Sequence, residues 1–126
     1  MSNLFHKYSK NILRKTNSQL SKIGYSLIIR NNHVLERLKS RNIDSVDFIN
    51  ALDLLTSKYL CELIYFSSLE KPFYKFEVKT ENIILAIGFE ESDKKKFIIR
   101  TVLDPKFHNK YDDEQAKVNE ARIFMN

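Results

Sequence analysis

The chain has 126 residues, of which 43% are hydrophobic, enough for one domain with one core and too apolar for a wholly disordered segment. Its 21 Lys and Arg outnumber 16 Asp and Glu, and the net charge of +5 favours polyanionic partners without identifying them. The one cysteine, Cys61, excludes an intramolecular disulfide and a cysteine-based metal cluster, and fits a reducing compartment.

Leu4, Phe5, Tyr8, Ile12, Leu20 and Ile23 recur at roughly helical spacing. They predict a helix over residues 3–22, with Thr16-Asn17-Ser18 as a point where it could break and Gly24 as its stop. Tyr25 to Arg30 is β-rich and predicts a short strand. Asn31 or Asn32 is positioned to cap a second helix from about His33 to Ser40, whose Val34, Leu35 and Leu38 should face the core. Asp44 or Ser45 caps a third helix that ends near Thr56-Ser57. Tyr59 to Phe66 reads either as a strand or as an extension of that helix. The second half then reads as a β-meander of Phe73–Lys79, Ile83–Phe89 and Phe97–Leu103, closed by Asp104-Pro105. Residues 112–122 predict a polar closing helix. The expected architecture is α+β: N-terminal helices packed on a mostly antiparallel, four-stranded sheet, in a single domain whose residues 1–23 form a basic helical extension.

From Met1 to Leu35 there is no acidic residue, while Lys7, Lys10, Arg14, Lys15, Lys22 and Arg30 all fall there. This set reads as a footprint for a nucleic-acid backbone; the bland alternative is a solvated face that lacks acids. No apolar run is long enough to cross a membrane, and the start is polar without a signal-peptide core, so the expected location is cytoplasmic with no membrane partner. Gly24 and Gly88 are the only glycines, which argues against P-loop or Rossmann nucleotide cofactors. The three histidines are far apart, so neither a metal nor another cofactor is expected.

The most informative segment is His33-Val34-Leu35-Glu36-Arg37-Leu38-Lys39-Ser40-Arg41. In a helix, His33, Arg37 and Arg41 recur every four residues and share one stripe. Metal-free RNA cleavage uses the neighbouring 2′-hydroxyl as nucleophile, with one group removing its proton and another protonating the leaving 5′-oxygen. An imidazole suits either task. Arginines hold phosphate oxygens through a rigid donor fork and neutralise the charge that builds on the phosphorane. A solvent-facing stripe beside Glu36 and Lys39 is the alternative, as is an ion pair of Arg41 with Glu36 or the acidic loop. Arg100 and Thr101 on the last strand of the meander are further phosphate ligands. A regular strand would send them to opposite faces, and a bulge would change that. Lys79 is a further RNA contact. Glu77 and His108 are candidates for the second acid or base, and each also reads as ordinary surface.

The run His33 to Asp44 resembles the early helix of the RegB-type endoribonucleases of T-even phages, and the histidine–arginine signature of small toxin-like proteins in the RelE/colicin/barnase-like nuclease group. The resemblance implies a RelE-like sheet and cleavage of mRNA or tRNA, with the ribosome as a partner in the RelE branch. It implies that His33 takes the place of the helix histidine linked to activity, that Arg37 and Arg41 follow as its two arginines, and that the segment ending at Thr101 helps the phosphate. RegB-type proteins carry a second histidine downstream, and Ala51 to Phe66 contains none here. The sequence therefore predicts a metal-independent endoribonuclease, with RNA, the ribosome and an antitoxin or immunity protein as candidate partners. The runner-up is a catalytically inactive RNA-binding or host-takeover protein of the same fold. A third reading is a protein-interaction module that docks through its N-terminal helix.

Overall fold

The computed structural model describes residues 2–106 and 120–126. Helix α1 (Ser2–Leu20) and a 3-10 turn (Ser21–Ile23) lead into strand β1 (Tyr25–Ile29). Helices α2 (Asn31–Ser40) and α3 (Ser45–Leu54) follow; a π-helical turn (Leu55–Tyr59) then continues into α4 (Leu60–Ser67). Strands β2 (Lys75–Lys79), β3 (Ile84–Glu91), β4 (Lys95–Leu103) and β5 (Glu120–Phe124) complete the sheet.

Local chemistry accounts for most of these boundaries. α1 runs unbroken through Thr16-Asn17-Ser18, because Asn17 turns its amide onto Leu27 of β1 and leaves the helix backbone intact. Gly24 adopts φ 80°, a left-handed conformation that glycine takes without a Cβ penalty, and turns the chain into β1. Neither Asn31 nor Asn32 caps α2. Arg30 occupies the cap position while its N–H stays in the sheet, donating to the Ile99 carbonyl at 3.1 Å, so both asparagines fall inside the first helical turn. Asp44 caps α3 by accepting from the Val46 N–H at 3.0 Å. Tyr59–Phe66 is helical rather than a strand. The Thr56 and Ser57 hydroxyls bond back to carbonyls of the preceding turn, a pattern that locally loosens a helix without ending it.

The class is α+β, as expected, but the sheet has five strands in the order β1-β4-β3-β2-β5 instead of four. It is also mixed: β2-β3 and β3-β4 are antiparallel, whereas β1-β4 and β2-β5 are parallel. The missed strand, β5, overlaps the last three residues of the predicted closing helix and runs two residues beyond it. Glu120 and Arg122 made it look polar, yet Ala121 and Ile123 bury themselves against the sheet. Residues 107–119, which carry the rest of that helix and His108, lie outside the described residues.

All the described helices cover one face of the sheet. Leu27, Ile29, Phe76, Val78, Leu85, Ile87, Phe97 and Ile99 meet Phe5, Val34, Leu38, Phe48, Leu52 and Leu63 in one core. Burial of Val34 and Leu38 fixes α2 against the sheet and stabilises it by roughly 1.5–3 kcal/mol for each side chain. α1 belongs to this core: Phe5 is buried and its ring lies 5.1 Å from that of Phe48. The opposite face carries Ile28, Ile98, Ala86, Glu77 and Phe124, as the alternation along each strand requires.

Candidate functional site on helix α2

β1 stops at Ile29, opposite Ile99, and the chain turns at once into α2. Beyond Ile99, β4 has no β1 partner, and α2 packs there instead. His33, Arg37 and Arg41 each directly precede a core-facing position or close the helix, so all three lie half-buried along the border between core and solvent. Glu36 and Lys39 point outward and are exposed.

Arg41 has a defined structural partner. Its Nη1 donates to the Val102 carbonyl of β4, which ties the end of α2 to the strand. It does not pair with Glu36. Arg37 stands close enough for its charge to act on Arg41. Burial, followed by the positive charge of Arg37, holds the Arg41 guanidinium below its ordinary pKa. The Arg37 Nε is buried and has no hydrogen-bond partner among the described residues. Among the described residues neither guanidinium is ion-paired. Two repelling, partly desolvated cations without a carboxylate form a place where an anion would be stabilised.

The last strand of the meander behaves differently from a regular strand. Ala86 pairs with Thr101 and Ile87 with Ile99, so Arg100 is the extra residue of a β-bulge. Ile99 and Val102 both enter the core, and Arg100 and Thr101 both turn to the face away from the helices. Arg100 lies across Gly88 and pairs with Glu90 at 3.2 Å, which draws its charge along β3 and away from α2. Thr101 adjoins the Val102 carbonyl that Arg41 holds, and its Oγ1 is buried without a partner among the described residues.

Glu77 lies on the face away from the described helices, opposite Ala86, and pairs with Arg122 at 3.6 Å. Lys79 follows on the same face, its amine 5.1 Å from the centre of the Phe124 ring. Neither is assembled with the α2 stripe by these contacts. Lys7, Lys10, Arg14, Lys15, Lys22 and Arg30 are all exposed, and Arg14 donates to the Asn11 side chain at 3.2 Å. His108 lies outside the described residues. Two participants had no signal in the sequence. The Val102 carbonyl is a backbone group, and Arg122 was hidden within the predicted polar helix.

Among the described residues no group of three His, Cys, Asp or Glu side chains is arranged to hold a metal ion. No described helix is long and apolar enough to cross a membrane. Compared with protein-family models, curated proteins and solved structures, the chain matches none.

Proposed function

We propose that this protein is a metal-independent endoribonuclease that seats a phosphodiester of RNA on α2. The supporting observation is the unmatched Arg37–Arg41 pair: two mutually repelling guanidiniums, half-buried, with no described carboxylate to neutralise them. A phosphate there relieves the repulsion and accepts from the Arg37 fork and the Arg41 donors left free by Val102. His33, on the same stripe, serves as general acid or base for attack by the 2′-hydroxyl. The arginines stabilise the extra negative charge of the phosphorane. Thr101, next to the Val102 whose carbonyl Arg41 holds, is a second-rank helper. The exposed basic residues of α1 hold the rest of the RNA backbone. An mRNA or tRNA substrate, action at the ribosome, a RelE-like relationship, control by an antitoxin or immunity protein, and a cytoplasmic setting in a bacterial or phage-infected cell belong to the same proposal.

A second reading keeps the RNA and removes the cleavage. It is favoured by the engagement of Glu77 with Arg122 on the face away from the described helices, which leaves His33 as the one imidazole or carboxylate of the stripe facing a phosphate there. The α1 docking reading has less support, since Phe5 and Leu20 are buried in the core.

The deciding experiment incubates total bacterial RNA in excess EDTA, with and without ribosomes, with wild type and with His33→Ala. Discrete fragments ending in cyclic phosphate, made by wild type alone, support the nuclease reading. Unchanged cleavage by His33→Ala removes His33 from the site. Intact RNA from folded wild type, together with a salt-sensitive RNA complex weakened by Arg37→Gln, supports the binding reading.

A further inference from the structure

A groove of about 320 Å³ runs between α1 and the segment joining α3 to the π-helical turn. It shares only Lys15 with the basic residues assigned to RNA. Its two walls differ in hydrogen-bonding character. On the α3 side stands the Asp53 carboxylate. Beside it the Thr56 hydroxyl donates to the Leu52 carbonyl at 2.9 Å, and the Ser57 hydroxyl donates to the Leu54 carbonyl at 3.3 Å. With their protons committed, both oxygens have only lone pairs to offer a ligand. That wall is acceptor-rich and negative.

The α1 wall is mixed, with the Asn11 and Gln19 amides among its polar groups. Lys15 supplies an ammonium, and Ile12 supplies an apolar surface. Lys15 and Asp53 line the same groove, yet they form no ion pair with each other or with any described residue. Thr16 also lines it. This side chain is only 8% exposed, and its hydroxyl makes no hydrogen bond among the described residues. Its Oγ1 is not among the fully buried atoms that lack a partner, so the hydroxyl keeps some exposure at the groove and its proton is free for a ligand. The π-helical turn at the edge of the groove is an irregularity of a kind that recurs at functional positions.

We propose that this groove binds a small zwitterion, a primary ammonium and a carboxylate on one molecule of the size of a free α-amino acid. The ammonium meets Asp53 and the lone pairs of Thr56 and Ser57. The carboxylate meets Lys15 and the Thr16 hydroxyl. The ligand's remaining carbon atoms lie over Ile12. This inference stands apart from the RNA reading and survives its failure.

The test is an amide NMR titration of the full chain with three mixtures at millimolar concentration: the common amino acids, their N-acetyl derivatives and their methyl esters. The expected result is a saturable shift of the Thr16, Asp53 and Thr56 amides with free amino acids alone. Asp53→Asn and Thr16→Val, each checked for wild-type thermal unfolding, should weaken binding about tenfold, the loss of one hydrogen bond to a charged group. Asp53 is exposed, so its variant keeps the test valid should Thr16→Val fail to fold. No shift with any mixture, or equal shifts with all three, overturns the proposal, as does undiminished binding by Asp53→Asn.

Discussion

The Asn17 side chain completes the hydrogen bonding of Leu27: its Nδ2 donates to the Leu27 carbonyl at 2.9 Å, and its Oδ1 accepts from the Leu27 N–H at 2.7 Å. A primary amide carries the same donor–acceptor pair as a peptide group, so one residue of α1 substitutes for a neighbouring strand. β1 is an edge strand paired on its other side with β4. Edges of this kind invite pairing with other chains unless something covers them. Asn17→Ala removes both bonds from partly buried groups and should cost about 1–3 kcal/mol. Urea unfolding checks this, and an unshifted midpoint would contradict it. Asn17→Asp retains the acceptor but sets a carboxylate against the Leu27 carbonyl, and should be no better than alanine.

The two arginines of α2 should separate cleanly by mutation. Arg41→Ala leaves the Val102 carbonyl without its donor and should destabilise the fold by about 1–3 kcal/mol. Arg37→Met removes a buried Nε that has no partner among the described residues and relieves the repulsion on Arg41. Its stability should be unchanged or raised by up to about 1 kcal/mol. RNA affinity should nonetheless fall, and the slope of log K against log salt should shrink by about 0.7 for a single-stranded ligand. Equilibrium unfolding beside a salt series of binding measurements reads both effects. A large loss of stability in Arg37→Met would show that its role is structural.

Phosphate or sulfate should raise the melting temperature, because an anion bound only by the folded state stabilises it by mass action. The expected increment tracks the Arg37–Arg41 pair and disappears in Arg37→Gln. Chloride at matched ionic strength provides the control. Equal increments in wild type and variant would place the anion elsewhere.

A Cβ at Gly88 would collide with the Arg100 Nε. The obstruction is the mobile end of an exposed side chain, so Gly88→Ala should displace Arg100 from Glu90 at modest cost. Exposed ion pairs contribute about 0–1 kcal/mol, and the thermal midpoint should move little. The informative readout is the Arg100 Nε–H resonance. If it remains at its wild-type position, Arg100 does not cross Gly88 in solution.

Much of the fold was legible because its periodicities are strong. Val34, Leu35 and Leu38 mark the inner side of α2, and Phe76 and Val78 alternate with charged residues along β2. β4 was less legible. Ile98 and Ile99 are both buried but on opposite faces, and the bulge at Arg100 adds a residue that no alternation rule counts. β5 was illegible because Phe124, a large apolar residue, faces outward at 67% exposure while Glu120 and Arg122 suggest a polar helix. The arginine stripe could be found from spacing, since residues four apart must share a helix face. Its partner could not, because Arg41 binds a carbonyl of a strand distant in the chain, and a backbone oxygen leaves no trace in residue type.

The parallel edges of the sheet also constrain when the molecule can be completed. β2, β3 and β4 are joined by short connections and can pair as they are made, whereas β1 must wait for β4 and β2 must wait for β5. Pairings between segments far apart in sequence bear the larger loop-closure entropy and form slowly. During synthesis β1 therefore stays without its strand partner until β4 has been made. β5 docks only once residues 120–124 have been made, leaving Phe76 and Val78 beside an open edge until then.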